Sequence, residues 1–345
     1  MKTRAAVLTS TKHVDILDLE IPKLSDEQVL VKIAYSGLCR TQLMEINGLK
    51  GLDKYIPHCL GHEASGYVVE TGAKITKIKT GDPVVLSWMK SSGLEGGASS
   101  YKYLNQKVNA GSITTFMNYA VISENRIFPI PPQTNMINAC LLGCVIPTAY
   151  GAVINTAGVK QGSNVAVWGC GGIGLMIIQA LKFLGCKNIF AIDLFENKLS
   201  LASKLGATQT INGSTANSLE EILKSVPNGI DYSFESSGST SVMPDALSAT
   251  KKQGGKLIII GNTDYRESFN LQISLLNDGR QILGSWGGDN KPDHHFPKYI
   301  KWLGDGEINV NELNSMLYRL EDINLAIENM ETGKAVRPIF YMPNE

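Results

Sequence analysis

Residues 164–193, NVAVWGCGGIGLMIIQALKFLGCKNIFAID, carry the pattern that decides the fold. A short apolar run at 165–168 leads into a glycine-rich turn at 169–174, and apolar residues at helical spacing follow that turn. A second apolar run, 189–192, ends at Asp193, which follows the last glycine of the turn by about 20 residues. Strand, glycine turn, helix, second strand and spaced acid are together typical of a dinucleotide-binding unit.

The glycine turn predicts how such a cofactor is held. Glycines let the backbone approach a pyrophosphate, and the N-terminus of the following helix offers N–H groups and the positive end of its dipole. We expect Asp193 to accept hydrogen bonds from ribose hydroxyls and to repel a 2′-phosphate, while Phe195 brings no charge that would attract one. NAD is therefore favoured over NADP. The predicted cofactor contacts in this stretch are Gly169, Gly171, Gly172, Ile173, Gly174 and Asp193.

Composition limits the class of protein. A chain of 345 residues with 43% hydrophobic content is long for one core and suits two domains. Its 32 basic residues balance 32 acidic ones, which gives no reason to expect nucleic acid or a membrane as a partner. The N-terminus lacks the apolar core of a signal peptide, and the six cysteines include no Cys-x-x-Cys pair. We therefore expect a cytoplasmic protein with reduced thiols.

The first 150 residues read as a β-rich domain. Short runs rich in β-branched residues are separated by Pro, Gly, Ser or Asp, as in small sheets and barrels. Residues 90–115 have little periodicity and are predicted to form a long loop or lobe. Residues 136–155 have helical spacing, and Pro147 is predicted to kink or split that helix. The predicted strands are 4–8, 14–17, 29–35, 66–70, 84–86 and 116–122.

Beyond Asp193, strand and helix patterns alternate in the way a doubly wound parallel sheet requires. After residue 287 the pattern changes, and the last segment is predicted to return to the first domain. The predicted helices are 196–205, 219–226, 241–249 and 322–333, and the predicted strands are 209–211, 230–234, 257–260, 281–286 and 336–341. The predicted domains are accordingly residues 1–150 with 286–345, and residues 151–285.

Two short motifs in the first domain contain candidate metal ligands. Cys39 lies in Gly37-Leu38-Cys39-Arg40-Thr41, and His62 lies beside Glu63 in Gly61-His62-Glu63. Thiolate, imidazole and carboxylate are the ligand types that zinc prefers, and a catalytic zinc uses three protein ligands with one position open. On these residues alone, a buried free cysteine and a hydrogen-bonded histidine are the simpler explanation.

The order of these motifs along the chain resembles the zinc-dependent medium-chain alcohol dehydrogenases, over essentially the full length. The resemblance implies an α/β fold in which a GroES-like β-barrel catalytic domain carries an inserted Rossmann domain, a doubly wound parallel sheet. The motifs that carry it are Gly37-x-Cys39-Arg40-Thr41, Gly61-His62-Glu63-x-x-Gly66, Gly81-Asp82-x-Val84, Cys140-x-x-x-Cys144 before Tyr150-Gly151, the Gly169–Gly174 turn, and Asp193 with Lys198.

The resemblance also implies roles for single residues. Spacing leaves Cys140 and Cys144, one helical turn apart, equally suited to be the third ligand, and the resemblance favours Cys144. The implied zinc ligands are Cys39, His62 and Cys144, with Glu63 as a neighbour that can enter the coordination sphere. Thr41 and Glu63 are the implied catalytic residues, with Thr41 taking the alcohol proton. Arg40, Lys198 and Arg337 are implied cofactor contacts, for which the alternative is that they are solvated surface cations.

The implied activity is reversible hydride transfer between an alcohol and the nicotinamide of NAD. Zinc acts in this chemistry as a Lewis acid that makes an alcohol easier to deprotonate. Trp88 is predicted to line the substrate pocket, where Asn262 and Ser285 would favour a polar, secondary alcohol. The alternative is that these two residues contact the nicotinamide or the backbone. A homodimer or homotetramer is expected through the edge strand of the nucleotide domain.

Three departures from the family pattern qualify this prediction. Met44 stands where many members have a histidine that ends a proton relay. Gln42 replaces an aspartate that commonly orients the zinc-bound histidine, so the metal affinity is open. Residues 90–115 contain no cysteine, so the four-cysteine structural zinc of many relatives cannot form and one zinc per chain is predicted. The alternatives are a zinc-free NADPH-dependent quinone or enone reductase, and a nucleotide-binding protein without catalysis.

Overall fold

The computed structural model describes residues 1–313 and 316–343 and divides the chain into two compact units. Unit 1 combines Met1–Cys144 with Lys291–Glu345, and unit 2 is Val145–Asn290. The boundaries predicted from the sequence, 150/151 and 285/286, lie a few residues from these. Each unit is described separately below.

The strands and helices are numbered in chain order. The strands are β1 (Lys2–Ser10), β2 (His13–Glu20), β3 (Gln28–Gly37), β4 (His58–Cys59), β5 (Glu63–Thr71), β6 (Pro83–Ser87), β7 (Ser99–Tyr103), β8 (Gln106–Gly111), β9 (Tyr119–Ser123), β10 (Ile127–Pro129), β11 (Asn164–Trp168), β12 (Asn188–Asp193), β13 (Gln209–Asn212), β14 (Tyr232–Glu235), β15 (Lys256–Ile259), β16 (Gln281–Gly284), β17 (Leu317–Arg319) and β18 (Ile339–Tyr341). The α-helices are α1 (Arg40–Ile46), α2 (Met136–Cys140), α3 (Val145–Gly151), α4 (Gly172–Phe183), α5 (Glu196–Leu205), α6 (Ser218–Ser225), α7 (Met243–Ser248), α8 (Ser274–Asn277), α9 (Pro292–Gly304) and α10 (Ile323–Glu331).

Unit 1 is built from two sheets around a shared apolar core. Strands β1-β2-β7-β8-β4 close into a barrel, and a seven-stranded sheet has the order β10-β6-β5-β3-β18-β17 with β9 also paired to β3. The core between them is formed by fully buried side chains such as Leu8, Leu19, Val31, Phe116 and Phe340. Residues from both ends of the chain meet there, because β18 pairs with β3. Through this pairing the last segment of the chain returns to the β-rich domain, as the sequence predicts.

Unit 2 is a parallel sheet of six strands in the order β13-β12-β11-β14-β15-β16, with helices in the connections between strands. The strand order reverses direction between β11 and β14, which is the switch point at which doubly wound sheets bind their ligands. The predicted doubly wound parallel sheet is therefore confirmed. Helix α5 spans the residues predicted for it, and the other strands and helices that were predicted in this unit lie within a few residues of their predicted ranges.

Two predictions about local structure are wrong. Residues 90–115, expected to be a loop or lobe without regular structure, contain the antiparallel hairpin of β7 and β8. Tyr101 of β7 is buried although its neighbours are polar, so the inward-facing residues were too few to give a clear alternation. The long helix predicted at 136–155 breaks at Cys144 (φ −150°, ψ −66°) and not at Pro147. Pro147 lies in the first turn of α3, where backbone N–H groups lack helical partners anyway.

The chain continues after α3 as a π-helix, Ala152–Ala157, and a 3-10 helix, Leu141–Gly143, precedes Cys144. Three helices, α1, α8 and α9, were not predicted. Among the described residues no single helix is long and apolar enough to cross a membrane, and only the bent pair 136–143 and 145–157 meets those criteria when its two parts are taken together.

Candidate metal centre and cofactor-binding turn

Three side chains in unit 1 point their ligand atoms at one place. The Sγ atoms of Cys39 and Cys144 and a ring nitrogen of His62 all lie within 4.8 Å of one another. His62 Nε2 is 3.3 Å from Cys144 Sγ. Cys140 is outside this group, because its thiol donates to the carbonyl oxygen of Ile137 at 3.1 Å. The structure therefore brings Cys39, His62 and Cys144 together and leaves Cys140 as a packing residue.

Each of these residues lies at the end of a regular element. Cys39 is the extended residue between β3 and the start of α1. His62 directly precedes β5, and Cys144 is the non-helical link between a 3-10 helix and α3. A residue at the end of an element has its backbone fixed on one side by the sheet or helix. The three ligand positions are therefore set by the scaffold of unit 1.

The two thiols differ in their tendency to ionise. A hydrogen bond from Cys144 lowers the pKa of Cys39 well below its ordinary value, and the charges of Arg337 and His62 act in the same direction against the effect of burial. That same hydrogen bond, together with burial, raises the pKa of Cys144 well above its ordinary value. Cys39 is therefore the more readily ionised of the two thiols.

This donor set fits zinc. Zinc–sulfur and zinc–nitrogen distances of about 2.3 and 2.0 Å place the ligands of one tetrahedral ion roughly 3.5–3.8 Å apart. Here one nitrogen–sulfur separation is 3.3 Å, and all three ligand atoms lie within 4.8 Å of one another, close enough to bind one ion. Two sulfurs and one imidazole leave one tetrahedral position open, which is the arrangement of catalytic zinc sites.

Glu63 lies beside this group in a fully buried ion pair. Its Oε1 accepts a hydrogen bond from the guanidinium of Arg337, and the two side chains are 0% and 2% exposed. Burial raises the pKa of Glu63, whereas the charges of Glu63, Cys39 and Cys144 raise the pKa of Arg337 well above its ordinary value despite burial. A Cβ atom on Gly37 would collide with the Glu63 carboxylate, so glycine is required there. The predicted contact of Arg337 with a pyrophosphate stays a prediction.

Helix α1 supplies four further residues of interest. The side-chain amide of Gln42 lies 2.6 Å from His62 Nδ1. The Thr41 hydroxyl is 3.6 Å from Cys39 Sγ. Met44 is buried, at 5% exposure, and Arg40 at the start of the helix is exposed. The predicted roles of Thr41 as proton acceptor and of Arg40 as cofactor contact remain predictions.

The glycine turn of unit 2 has the backbone geometry that a pyrophosphate site needs. Gly169 has φ +93°, and a Cβ atom there would lie 2.7 Å from the backbone nitrogen of Ser237. A Cβ atom on Gly174 would collide with the carbonyl oxygen of Gly169. A Cβ atom on Gly171, in contrast, would meet no described protein atom within 4 Å. The turn is therefore packed on its inner side and open at Gly171, where α4 begins.

Asp193, at the end of β12, is held in place by backbone N–H groups. Its carboxylate accepts from Cys170 at 2.7 Å, from Leu194 at 2.8 Å and from Phe195 at 3.1 Å. The carboxylate is consequently fixed beside the glycine turn. Lys198 is half-buried, with its ammonium 4.7 Å from the centre of the Phe195 ring.

The predicted substrate residues lie in different units. Trp88 belongs to unit 1 and is half-buried, and its carbonyl oxygen accepts from Arg126. Asn262 and Ser285 belong to unit 2, where Asn262 is exposed and the Ser285 hydroxyl lies 2.8 Å from that of Thr156. The Ser285 hydroxyl therefore already has a protein partner.

Sequence reasoning missed two contacts of the metal centre. The ion pair between Glu63 and Arg337 joins residues that are 274 positions apart, so no local sequence pattern predicts it. The contact of Gln42 with His62 was not predicted either, although the residue was recognised as a departure from the family pattern. Its only sequence signal is its position three residues after Cys39.

Comparisons with known proteins cover both units. A model of the alcohol dehydrogenase GroES-like domain matches residues 25–132, and a model of the zinc-binding dehydrogenase domain matches residues 172–305. An S-(hydroxymethyl)glutathione dehydrogenase from Synechocystis sp. is 31% identical over 369 aligned positions that cover 99% of this chain and 100% of that protein. The structure is similar to those of an alcohol dehydrogenase zinc-binding domain protein from Burkholderia ambifaria (TM-score 0.91, 25% identity, 100% of both chains) and of benzyl alcohol dehydrogenase from Acinetobacter calcoaceticus (TM-score 0.90, 26% identity, 99% and 100%).

Proposed function

The chain belongs to the zinc-dependent alcohol dehydrogenases of the medium-chain family, and on this premise we propose that it interconverts a polar secondary alcohol and its ketone with one zinc ion and NAD. The observation that carries the proposal is the convergence of Cys39, His62 and Cys144. When bound, zinc supplies Lewis acidity that lowers the pKa of an alcohol, and NAD accepts the hydride.

The residues of helix α1 support a route for the alcohol proton. The Thr41 hydroxyl lies next to Cys39 and both accepts and donates hydrogen bonds, so it takes the proton from the substrate hydroxyl and releases its own. Met44 is buried and apolar and cannot pass that proton on. The proton would therefore have to leave Thr41 by a route other than Met44, through the ribose of a bound cofactor and water or through another polar group.

The acidic residues at the end of β12 support NAD over NADP. Asp193 is fixed by three backbone N–H groups, and Glu196 adds a second carboxylate in the first turn of α5. Two negative charges at this end of β12 would oppose the binding of a 2′-phosphate. Lys198 is the cation closest to them in sequence, and its ammonium lies over the Phe195 ring.

The proposal also specifies a substrate class, a polar secondary alcohol. The named relatives act on S-(hydroxymethyl)glutathione and on benzyl alcohol, which have different shapes and polarities. Asn262 supports a polar secondary alcohol such as a polyol, because a polar side chain beside the substrate favours a molecule that can hydrogen-bond to it. Ser285 supports it less, since its hydroxyl is hydrogen-bonded to Thr156.

A single set of assays tests these points. Purified protein is analysed for zinc, and reduction of NAD and NADP is followed with polyols, simple primary alcohols, benzyl alcohol and S-(hydroxymethyl)glutathione. We expect one zinc per chain, preference for NAD, and the highest kcat/KM with a polyol. Higher kcat/KM values for simple primary alcohols would refute the polar substrate. Activity that survives a strong chelator would favour the zinc-free reductase, and binding of NAD without turnover would favour the non-catalytic protein.

Oligomerisation is proposed through strand β16. It lies at the edge of the parallel sheet, and Trp286, two residues beyond it, is 80% exposed. An edge strand with an exposed aromatic residue favours pairing with a second copy of the chain. We expect a homodimer or homotetramer in light scattering, and a monomer would contradict this.

A further inference from the structure

We propose that Gln42 positions His62 for the metal by accepting a hydrogen bond from its Nδ1–H, and that it does so without adding a charge to the centre. The inference rests on the zinc site proposed above. It assigns a positioning role to a residue that differs from the aspartate expected at this place in the family pattern.

Gln42 is enclosed in unit 1 and faces the imidazole directly. The residue is 4% exposed, and its amide nitrogen lies 2.6 Å from His62 Nδ1. Its carbonyl oxygen is buried and has no hydrogen-bond partner among the described residues. The opposite ring nitrogen of His62 faces Cys144 Sγ at 3.3 Å. The imidazole is thus held between the Gln42 amide on one side and the ligand cluster on the other.

Metal binding decides which end of the amide must face the ring. A ligand nitrogen presents a lone pair to the metal, so with Nε2 on the cluster side the single ring proton sits on Nδ1. Nδ1–H is a donor and requires an acceptor, which an amide NH₂ group cannot be. A half-turn about the last side-chain bond exchanges the oxygen and nitrogen of Gln42 in nearly the same space. That orientation gives the carbonyl oxygen the donor it otherwise lacks.

Charge balance explains what a neutral acceptor contributes. Two cysteine thiolates balance a divalent cation, and the buried Glu63 and Arg337 balance each other. With Gln42 the group as a whole is neutral, whereas a carboxylate at this position would add a buried negative charge. A negative acceptor makes the imidazole a stronger donor to the metal. Gln42 therefore orients His62 while leaving the metal less tightly held and more electrophilic than an acidic residue would.

The test compares the wild type with Gln42→Met, which keeps the size but removes the acceptor, and Gln42→Glu, which keeps the acceptor and adds charge. Zinc affinity is measured by competition with a chromogenic chelator, and the cobalt-substituted proteins are compared by their thiolate and d–d absorption bands. We expect zinc binding to weaken about 10- to 100-fold in Gln42→Met and to tighten by up to about tenfold in Gln42→Glu. The cobalt bands should shift in both variants.

The matched control is Gln179→Met, since Gln179 is also a buried glutamine but lies in unit 2, where its carbonyl accepts from Tyr150. This variant should keep the zinc affinity of the wild type even if its melting temperature falls. Unchanged zinc affinity and cobalt bands in Gln42→Met would overturn the inference and leave the proposed function intact. A wild type that binds no zinc would overturn the proposed function itself.

A measurement on the unmodified protein makes the inference independent of how the variants fold. In the zinc-loaded wild type, nitrogen-15 NMR of the histidine rings reports which nitrogen of His62 carries the proton. We expect the proton on Nδ1, with Nε2 bound to the metal. A proton on Nε2 would show that Gln42 donates to His62 and would refute the proposed role.

Discussion

Two regions of unit 1, the cluster of candidate metal ligands and the lobe, differ in the polar side chains that organise them. In the cluster of Cys39, His62 and Cys144, two thiol sulfurs and an imidazole nitrogen face one another. The lobe, residues 90–115, is instead held in place by carboxylates that accept hydrogen bonds from backbone N–H groups. Glu124 accepts from Thr76 at 3.0 Å, from Lys77 at 2.8 Å and from Leu94 at 2.9 Å.

A second carboxylate completes the anchoring of the lobe. Asp293, in the first turn of α9, accepts from both the backbone nitrogen and the hydroxyl of Ser92 at 2.8 Å. Hydrogen bonds to a carboxylate are stronger than those to a neutral acceptor, so these two side chains hold several segments together. The lobe is thus organised by hydrogen bonds to carboxylates, whereas Cys39, His62 and Cys144 present a donor set that fits a metal ion.

The largest effect is expected from removing a metal ligand. Cys144→Ser replaces a sulfur with an oxygen, which zinc binds less well in such a site. We expect zinc content to fall far below one per chain and kcat/KM to drop about a thousandfold, since the metal supplies several kcal/mol of stabilisation to the transition state. Cys186→Ser, a half-buried cysteine of unit 2, is the control and should retain both. Retention of zinc and activity by Cys144→Ser would show that Cys144 is not a ligand of the catalytic metal.

The next effect concerns the ion pair beside the cluster. Arg337→Met leaves the fully buried Glu63 without its partner, which should lower the free energy of unfolding by about 3–5 kcal/mol. Chemical denaturation measures this change. The double variant Glu63→Gln/Arg337→Met should recover most of the loss, because no charge is then left unpaired. A loss below about 1 kcal/mol in the single variant would mean that the pair is not buried as described.

A smaller effect is expected in the lobe. Glu124→Gln removes the charge and replaces one acceptor oxygen with a donor, so the free energy of unfolding should fall by about 2 kcal/mol. Hydrogen exchange at the backbone amides of Lys77 and Leu94 should quicken, while zinc content stays at that of the wild type. Glu221→Gln, an exposed position on α6, is the control. Loss of zinc in Glu124→Gln would show that the two regions are not independent.

The smallest expected effect is a pH dependence confined to the lobe. A hydrogen bond from Lys90, helped by Ser123 and Asn125, lowers the pKa of Glu95 from 4.5 to about 2. A carboxyl group whose pKa is lower in the folded than in the unfolded state stabilises the fold above its unfolded pKa. This stabilisation should be lost as the pH falls from 4.5 to about 2. The slope of melting temperature against pH should be shallower in Glu95→Gln, and an unchanged slope would contradict the assignment.

Much of the fold could be predicted because the relevant patterns are local. Helix α5 was predicted from the spacing of Leu199, Ala202 and Leu205, which are its buried residues, and Gly206 ends it. The glycine turn was recognisable because its glycines and Asp193 are needed at fixed spacing. The hairpin in the lobe was missed since Tyr101 is the one fully buried large side chain of β7.

The surroundings of the candidate site could not be predicted in the same way. Cys39, His62 and Cys144 were named from the order of motifs, but their proximity depends on the closure of the barrel and on the break at Cys144. The burial of Arg337 depends on β18 pairing with β3, which joins the two ends of the chain. The hydrogen bond between Gln42 and His62 depends on the angle at which α1 leaves β3. These features depend on tertiary packing, which cannot be predicted from the periodicity of apolar residues along the sequence.

X-ray absorption at the zinc edge tests the central claim most directly, because it counts the sulfur and nitrogen or oxygen neighbours of the metal in the intact protein. The account predicts one zinc per chain with two sulfurs at about 2.3 Å and two lighter ligands at about 2.0 Å. A zinc bound by four sulfurs, by no sulfur, or in two different environments would contradict it.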